Sequence, residues 1–231
     1  MPVVKVDDIN MYYEILGVGE QVVLIPGLGT DITEYKRIIE SLAKKYQVIT
    51  ADNRGSGRSD KPKAPYTIEM MADDLAGLLR KIGVNQVNVL GISMGGRIAQ
   101  ALALKHPDLV KRLILASTSA RFIRRRRITL FGLVRRLPLA RSKYPQPNYA
   151  FEYQRQATAR FDNKDRLHDL RVPTLILHGR KDGIAPYYLA EEMNNGIKGS
   201  KLVTFAGGHL FMFMREQKRF ISEVEKFVGS V

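Results

Sequence analysis

The chain reads as an α/β protein: a mostly parallel sheet with helices on both faces. Three observations carry that reading. Short apolar runs rich in β-branched residues alternate with segments of helical periodicity. Several of those runs are apolar throughout, as strands covered on both faces are. Strand–helix–strand repetition of this kind builds a parallel sheet rather than a sandwich.

The elements follow in order. Residues 3–6 and 11–16 form two strands around the Asp7-Asp8-Ile9-Asn10 turn, a hairpin. Residues 21–26 are a strand ending in Pro26-Gly27. Residues 33–44 place Tyr35, Ile38, Ile39 and Leu42 on one helical face, and 46–51 form the next strand. Thr67 caps a helix that runs to Ile82 and stops at Gly83. Residues 86–92 are a strand, 94–106 a helix halted by Pro107, and 110–117 a strand. The rhythm lapses over 118–170, which hold Pro138, Pro145, Pro147 and two short helix-like pieces. It returns with a strand at 172–179, a helix at 186–194, a strand at 201–205 and a helix at 210–228. The expected organisation is a core of residues 1–118 and 171–231, with residues 119–170 inserted as a basic cap over the carboxyl edge of the sheet.

Composition bounds the function. At 231 residues the chain is long enough for one substantial core. The start, Met1-Pro2-Val3-Val4-Lys5-Val6, lacks a signal peptide's basic and apolar regions, and no apolar run reaches membrane-spanning length, so a soluble cytoplasmic protein is expected. Without cysteine there is no disulfide, thiol nucleophile or cysteine metal site. The net charge of +14 is concentrated: across residues 121–165 lie twelve bases, from Arg121 to Lys164, against only Glu152, Asp162 and Asp165. Whatever that excess does, it does from one segment.

The most informative stretch is Val87-Asn88-Val89-Leu90-Gly91-Ile92-Ser93-Met94-Gly95-Gly96. It is a strand, then Gly-x-Ser-x-Gly, then a helix. A serine can stand out on so sharp a turn only if its neighbours carry no side chains, which Gly91 and Gly95 satisfy. The amide of Met94, at the start of the helix, then points toward a developing oxyanion.

With this motif the chain resembles the α/β-hydrolase family, whose fold is an eight-stranded, mostly parallel sheet, and the resemblance extends over nearly its whole length. Pro26-Gly27-Leu28-Gly29 resembles the family's oxyanion loop, with Pro26 where many members have His; the resemblance implies the N–H of Leu28 as second oxyanion donor. Asp52-Asn53-Arg54-Gly55-Ser56-Gly57-Arg58-Ser59 resembles the family's D-x-R-G-x-G-x-S loop and is given a structural role. It lacks the spacing of a phosphate-binding loop.

A serine nucleophile needs a base, and the base a carboxylate. Of the four histidines, His106 is expected to cap a helix end, His178 to be packed near the acid, and His168 has no supporting pattern. His209, after a late strand and two glycines, is the candidate base. Leu177-His178-Gly179-Arg180-Lys181-Asp182 resembles the family's acid loop and implies Asp182. The alternative acid position, Ser117-Thr118-Ser119, holds no carboxylate.

The resemblance, closest to small carboxylesterases and 3-oxoadipate enol-lactonase-like members, implies a serine esterase acting through an acyl-enzyme, with no metal or redox cofactor. Substrate contacts are expected from Gly27, Phe131, Leu133 and Leu210. Arg124, Arg125, Arg126 and Arg127, with Arg135 and Arg136, are either a solvated face or a site for anionic groups such as the phosphates of CoA. Thioesterase, acyltransferase, lactonase and proline iminopeptidase-like readings stay open, as does a non-catalytic binding module. The expected partner is a small-molecule ester, without specific nucleic-acid recognition.

Overall fold

In the third strand, Gln21–Ile25, Val22 and Leu24 enter one hydrophobic cluster while Val23 and Ile25 enter another. That one-residue alternation recurs at Val48/Ile49, Val89/Leu90, Leu113/Ile114 and Leu175/Ile176 and explains why the central strands are mainly apolar. The computed structural model describes residues 2–123 and 143–229. Its strands are β1 (Val3–Val6), β2 (Ile9–Leu16), β3 (Gln21–Ile25), β4 (Gln47–Ala51), β5 (Val87–Ile92), β6 (Val110–Ala116), β7 (Thr174–Gly179) and β8 (Lys201–Phe205). They form one eight-stranded sheet in the order β1-β2-β4-β3-β5-β6-β7-β8. Pairing is antiparallel for β1–β2 and β2–β4 and parallel from β4 through β8.

The described helices are α1 (Lys36–Leu42), α2 (Ile68–Lys81), α3 (Met94–Lys105), α4 (Asn148–Arg160), α5 (Tyr187–Gly196) and α6 (Gln217–Val228). On one face, Val23, Val89, Leu113 and Ile176 pack with Leu75 and Leu79 of α2, Ile98 and Leu102 of α3, and Met193 of α5. On the other, Val22, Leu90, Ile114 and Leu177 pack with Ile38 and Leu42 of α1 and Phe220 and Val224 of α6. Helices therefore cover both faces. Thr67 caps α2 as its position implies, its hydroxyl accepting the Met70 N–H at 3.0 Å.

Two expected helices are broken. The segment 33–44 opens with a 3-10 turn, Ile32–Tyr35, before α1. Asp31 causes this by accepting the Thr33 N–H at 2.8 Å, which winds the chain tightly from its first residue. The segment 210–228 splits into a 3-10 turn at Phe211–Phe213 and α6. Between them the Glu216 carboxylate turns back to accept the N–H groups of Ala206 (3.1 Å) and Gly207 (2.8 Å). Helical periodicity continues through such a break because both pieces bury the same side.

Residues 117–173 lie between β6 and β7. The described ends of this stretch are joined: Arg121 bridges Asp162, and the Asn163 N–H donates to the Ala120 carbonyl at 2.8 Å. Ala150 and Ala157 of α4 pack into the α2–α3 side of the core. Among the described residues no helix is long and apolar enough to cross a membrane.

Candidate active site

Ser93 stands between β5 and α3 with φ 57° and ψ −117°, a left-handed conformation that costs on the order of 1–3 kcal/mol outside glycine. The surroundings hold it there. Its N–H donates to the Ala116 carbonyl at 2.9 Å, and its own carbonyl accepts the Gly96 N–H (3.0 Å) and the Thr118 hydroxyl (2.7 Å). The flanking glycines are required by packing: a Cβ on Gly91 would collide with the backbone of Gly95, and one on Gly95 with the carbonyls of Ile25 and Pro26.

His209 and Asp182 arrive on the loops after β8 and β7. These loops are laced together, the Arg180 N–H donating to the Phe205 carbonyl (2.7 Å) and the Lys181 N–H to the Gly207 carbonyl (3.0 Å). Asp182, 5% exposed, accepts the Ile184 and Ala185 N–H groups on Oδ1, each at 2.8 Å. Its Oδ2 lies 2.7 Å from His209 Nδ1, and His209 Nε2 lies 2.9 Å from Ser93 Oγ. A carboxylate only accepts, so the hydrogen belongs on Nδ1; the free lone pair of Nε2 then faces the serine hydroxyl, which donates to it. Ser93, His209 and Asp182 are thus brought into one continuous chain.

The segment Pro26-Gly27-Leu28-Gly29-Thr30 runs beside Ser93. The Asn53 side chain donates to the Pro26 carbonyl at 3.0 Å, and the Gly27 N–H donates to the Tyr35 hydroxyl at 2.8 Å. The Thr30 hydroxyl donates to the Gly27 carbonyl at 2.9 Å, and the Gly29 N–H to Gln154 Oε1 at 3.2 Å. Among the described residues, no acceptor pairs with the N–H of Leu28 or of Met94, the first residue of α3. Two amide donors are left available on the two segments that flank the serine. The loop that Pro26 opens is anchored through Tyr35, Asn53 and Gln154.

His178 lies wholly buried beneath the acid. Its Nε2 donates to the Ala185 carbonyl at 2.7 Å and is 3.4 Å from Asp182 Oδ2; burial holds its pKa below the ordinary 6.5. Burial likewise pushes the Tyr35 hydroxyl up to about 12, so it stays a neutral phenol.

The remaining sequence candidates divide. Gly27 packs against the site, a Cβ there coming 3.4 Å from that of Ser93, and Leu210, 49% exposed, follows His209. Arg124, Arg125, Arg126, Arg127, Phe131, Leu133, Arg135 and Arg136 lie outside the described residues. His106 is the C-cap of α3, its N–H donating to the Leu102 carbonyl at 2.8 Å, while its ring bonds Asp73 of α2 at 2.8 Å. His168 is exposed beside Asp169. The Asp52–Ser59 turn is tied into the scaffold: Arg54 grips Asp74 and Asp8, and Asp52 accepts the Ile32 and Arg58 N–H groups.

A family model described as "alpha/beta hydrolase fold" matches residues 21–149, more than half of the sequence. The chain belongs to the α/β-hydrolase family. A relative from Azorhizobium caulinodans, provisionally named carbamate hydrolase RutD, is 33% identical, over 91% of this chain and 92% of its own. Among solved structures, the enol-lactonase of Burkholderia xenovorans LB400 superposes with a TM-score of 0.86 at 25% identity, covering 99% of this chain and 100% of its own. The esterase EaEST of Exiguobacterium antarcticum gives 0.83 at 28% identity, covering 97% of both chains. This α/β-hydrolase is accordingly a hydrolytic enzyme.

Several residues that shape the site were not read from the sequence in that role. Glu216 braces the loop before His209, Tyr35 and Asn53 hold the Pro26–Thr30 segment, and Gln154 reaches it from α4. Tyr35 is recognisable from sequence only as a core residue on a helical face, and Gln154 only as one polar residue in a basic stretch.

Proposed function

We propose that the protein is a serine hydrolase that cleaves carboxylic esters of small or medium substrates through an acyl-enzyme. The observation that carries the reading is the Ser93–His209–Asp182 hydrogen-bond chain, with contacts of 2.9 and 2.7 Å assembled from three strand-end loops. Ser93 Oγ attacks the carbonyl carbon while its proton passes to His209 Nε2. The carbonyl π electrons move onto oxygen, which the Leu28 and Met94 N–H groups hold. Asp182 keeps the Nδ1 hydrogen in place and stabilises the imidazolium. When the tetrahedral species collapses, the C–O bond to the alcohol breaks and His209 returns its proton to the leaving oxygen. Water then attacks the acyl-enzyme by the same steps and frees Ser93. This route uses no metal or redox group.

The likeness to EaEST favours a simple ester as substrate, and that to the enol-lactonase supports a lactone, an ester within a ring, as a second class. Purified enzyme should hydrolyse p-nitrophenyl butyrate and be labelled at Ser93 by a fluorophosphonate. Ser93→Ala should lose both. A variant that keeps wild-type turnover would end the proposal, and a panel of esters, lactones, carbamates and acyl-CoA thioesters would rank the substrates.

A further inference from the structure

Leu28 sits between two glycines, Gly27 and Gly29, and Gly29 is in the left-handed region at φ +72°. Peptide planes beside glycine rotate readily, so an N–H here keeps its aim only if the planes on either side of it are held. The plane that carries the Leu28 N–H also carries the Gly27 carbonyl, which accepts from the Thr30 hydroxyl at 2.9 Å. The next plane carries the Gly29 N–H, which donates to Gln154 Oε1 at 3.2 Å. The first hold is local to the loop. The second comes from α4, some 125 residues along the chain.

Gln154 is fully buried and its amide is saturated. Nε2 donates to the Arg54 carbonyl (2.7 Å) and the Ser56 hydroxyl (3.0 Å), while Oε1 accepts from Gly29 and from Gln146 Nε2 (3.0 Å). Those bonds fix the amide's orientation, so its oxygen must face the loop. The Phe151 ring on the same helix closes the remaining space, 2.9 Å from where a Gly29 Cβ would stand.

We propose that Gln154 is a positioning residue for the oxyanion loop, so that α4 governs turnover through the aim of the Leu28 N–H. The proposal rests on the acyl-transfer reading above. It makes α4 part of the rate-determining architecture: Gln154 touches no reacting atom, yet its loss frees the plane next to the donor. The effect belongs in kcat, because the oxyanion donor acts on the transition state rather than on the bound ester.

The test compares Gln154→Leu with Ser56→Ala, which removes another Gln154 contact but leaves the bond to Gly29. For each variant, kcat and KM for p-nitrophenyl butyrate are measured, together with amide hydrogen exchange over residues 26–30. Losing one oxyanion donor outright costs about 10²–10³ in kcat, so loosening one should lower it roughly tenfold in Gln154→Leu with KM within about threefold. Exchange over 26–30 should rise in that variant alone, and Ser56→Ala should keep kcat within about twofold of wild type. Equal losses in both variants, or a kcat drop matched by a general rise in exchange, would mark Gln154 as merely structural and overturn the proposal. Unchanged exchange over 26–30 overturns it whatever the substrate. If exchange rises locally but wild-type enzyme hydrolyses no ester, the function reading fails while the anchoring role stands. Gln154→Met, closer in shape, serves if the leucine variant does not fold.

Discussion

Replacing Asp182 by asparagine changes one atom type and, on this geometry, inverts the site. Oδ1 of Asp182 is pinned by the Ile184 and Ala185 N–H groups at 2.8 Å each, so the amide oxygen of an asparagine takes that position. Its NH2 must then occupy the place of Oδ2, 2.7 Å from His209 Nδ1. A donor there cannot face the Nδ1 hydrogen, so the imidazole shifts that hydrogen to Nε2, where it meets Ser93 Oγ. The base has no lone pair left for the serine proton. A tautomer error of this kind costs about 10⁴ in kcat, close to 5.4 kcal/mol of transition-state stabilisation. The backbone bonds to Oδ1 survive, so the fold should survive with them. Steady-state hydrolysis of p-nitrophenyl butyrate, alongside a thermal melt, separates the two effects. A kcat within tenfold of wild type, with the melt unchanged, would refute the tautomer argument.

Other outcomes follow from the scaffold. Asp74→Ala strips the buried partner from Arg54 and leaves it only Asp8, whose side chain is 61% exposed; a loss of about 3 kcal/mol is expected in urea unfolding. Thr67→Ala removes the α2 cap and should cost about 1 kcal/mol with an unchanged m-value. His178, held neutral by burial, resists the proton that it gains from the ordinary 6.5 downward when unfolded. Its contribution is therefore complete above pH 6.5 and is lost as pH falls toward the depressed folded value. His178→Gln, which keeps a donor for the Ala185 carbonyl, should show a shallower decline in melting temperature than wild type from about pH 6.5 to 5. Parallel declines would count against it.

The sheet was legible because strands covered on both faces are mainly apolar, and β3, β5, β6 and β7 are short, mainly apolar runs bounded by turns. Ser93 was legible because its turn demands glycines at fixed neighbours, a local constraint written in adjacent letters. His209 was legible through its position after a late strand, and Asp182 through the resemblance of its loop to the family's acid loop; the structure brings His209 to Ser93 and Asp182 to His209. Breaks within elements were harder to read. The helix expected over 210–228 is interrupted because Glu216 turns back to the loop before it, and nothing in the apolar spacing records where a carboxylate points.

By itself the sequence determined the alternation of strands and helices, the serine on its bend and the order of the groups that meet it, since each follows from neighbours along the chain. Only the tertiary structure decided how the Pro26–Thr30 segment is held and which atom of each side chain faces which. Gln154 meets Gly29 across 125 residues, and Asp182 presents Oδ2 to His209 because two backbone amides occupy Oδ1. Such contacts depend on where packing brings distant segments within about 3 Å of one another, a distance at which a hydrogen bond forms or does not.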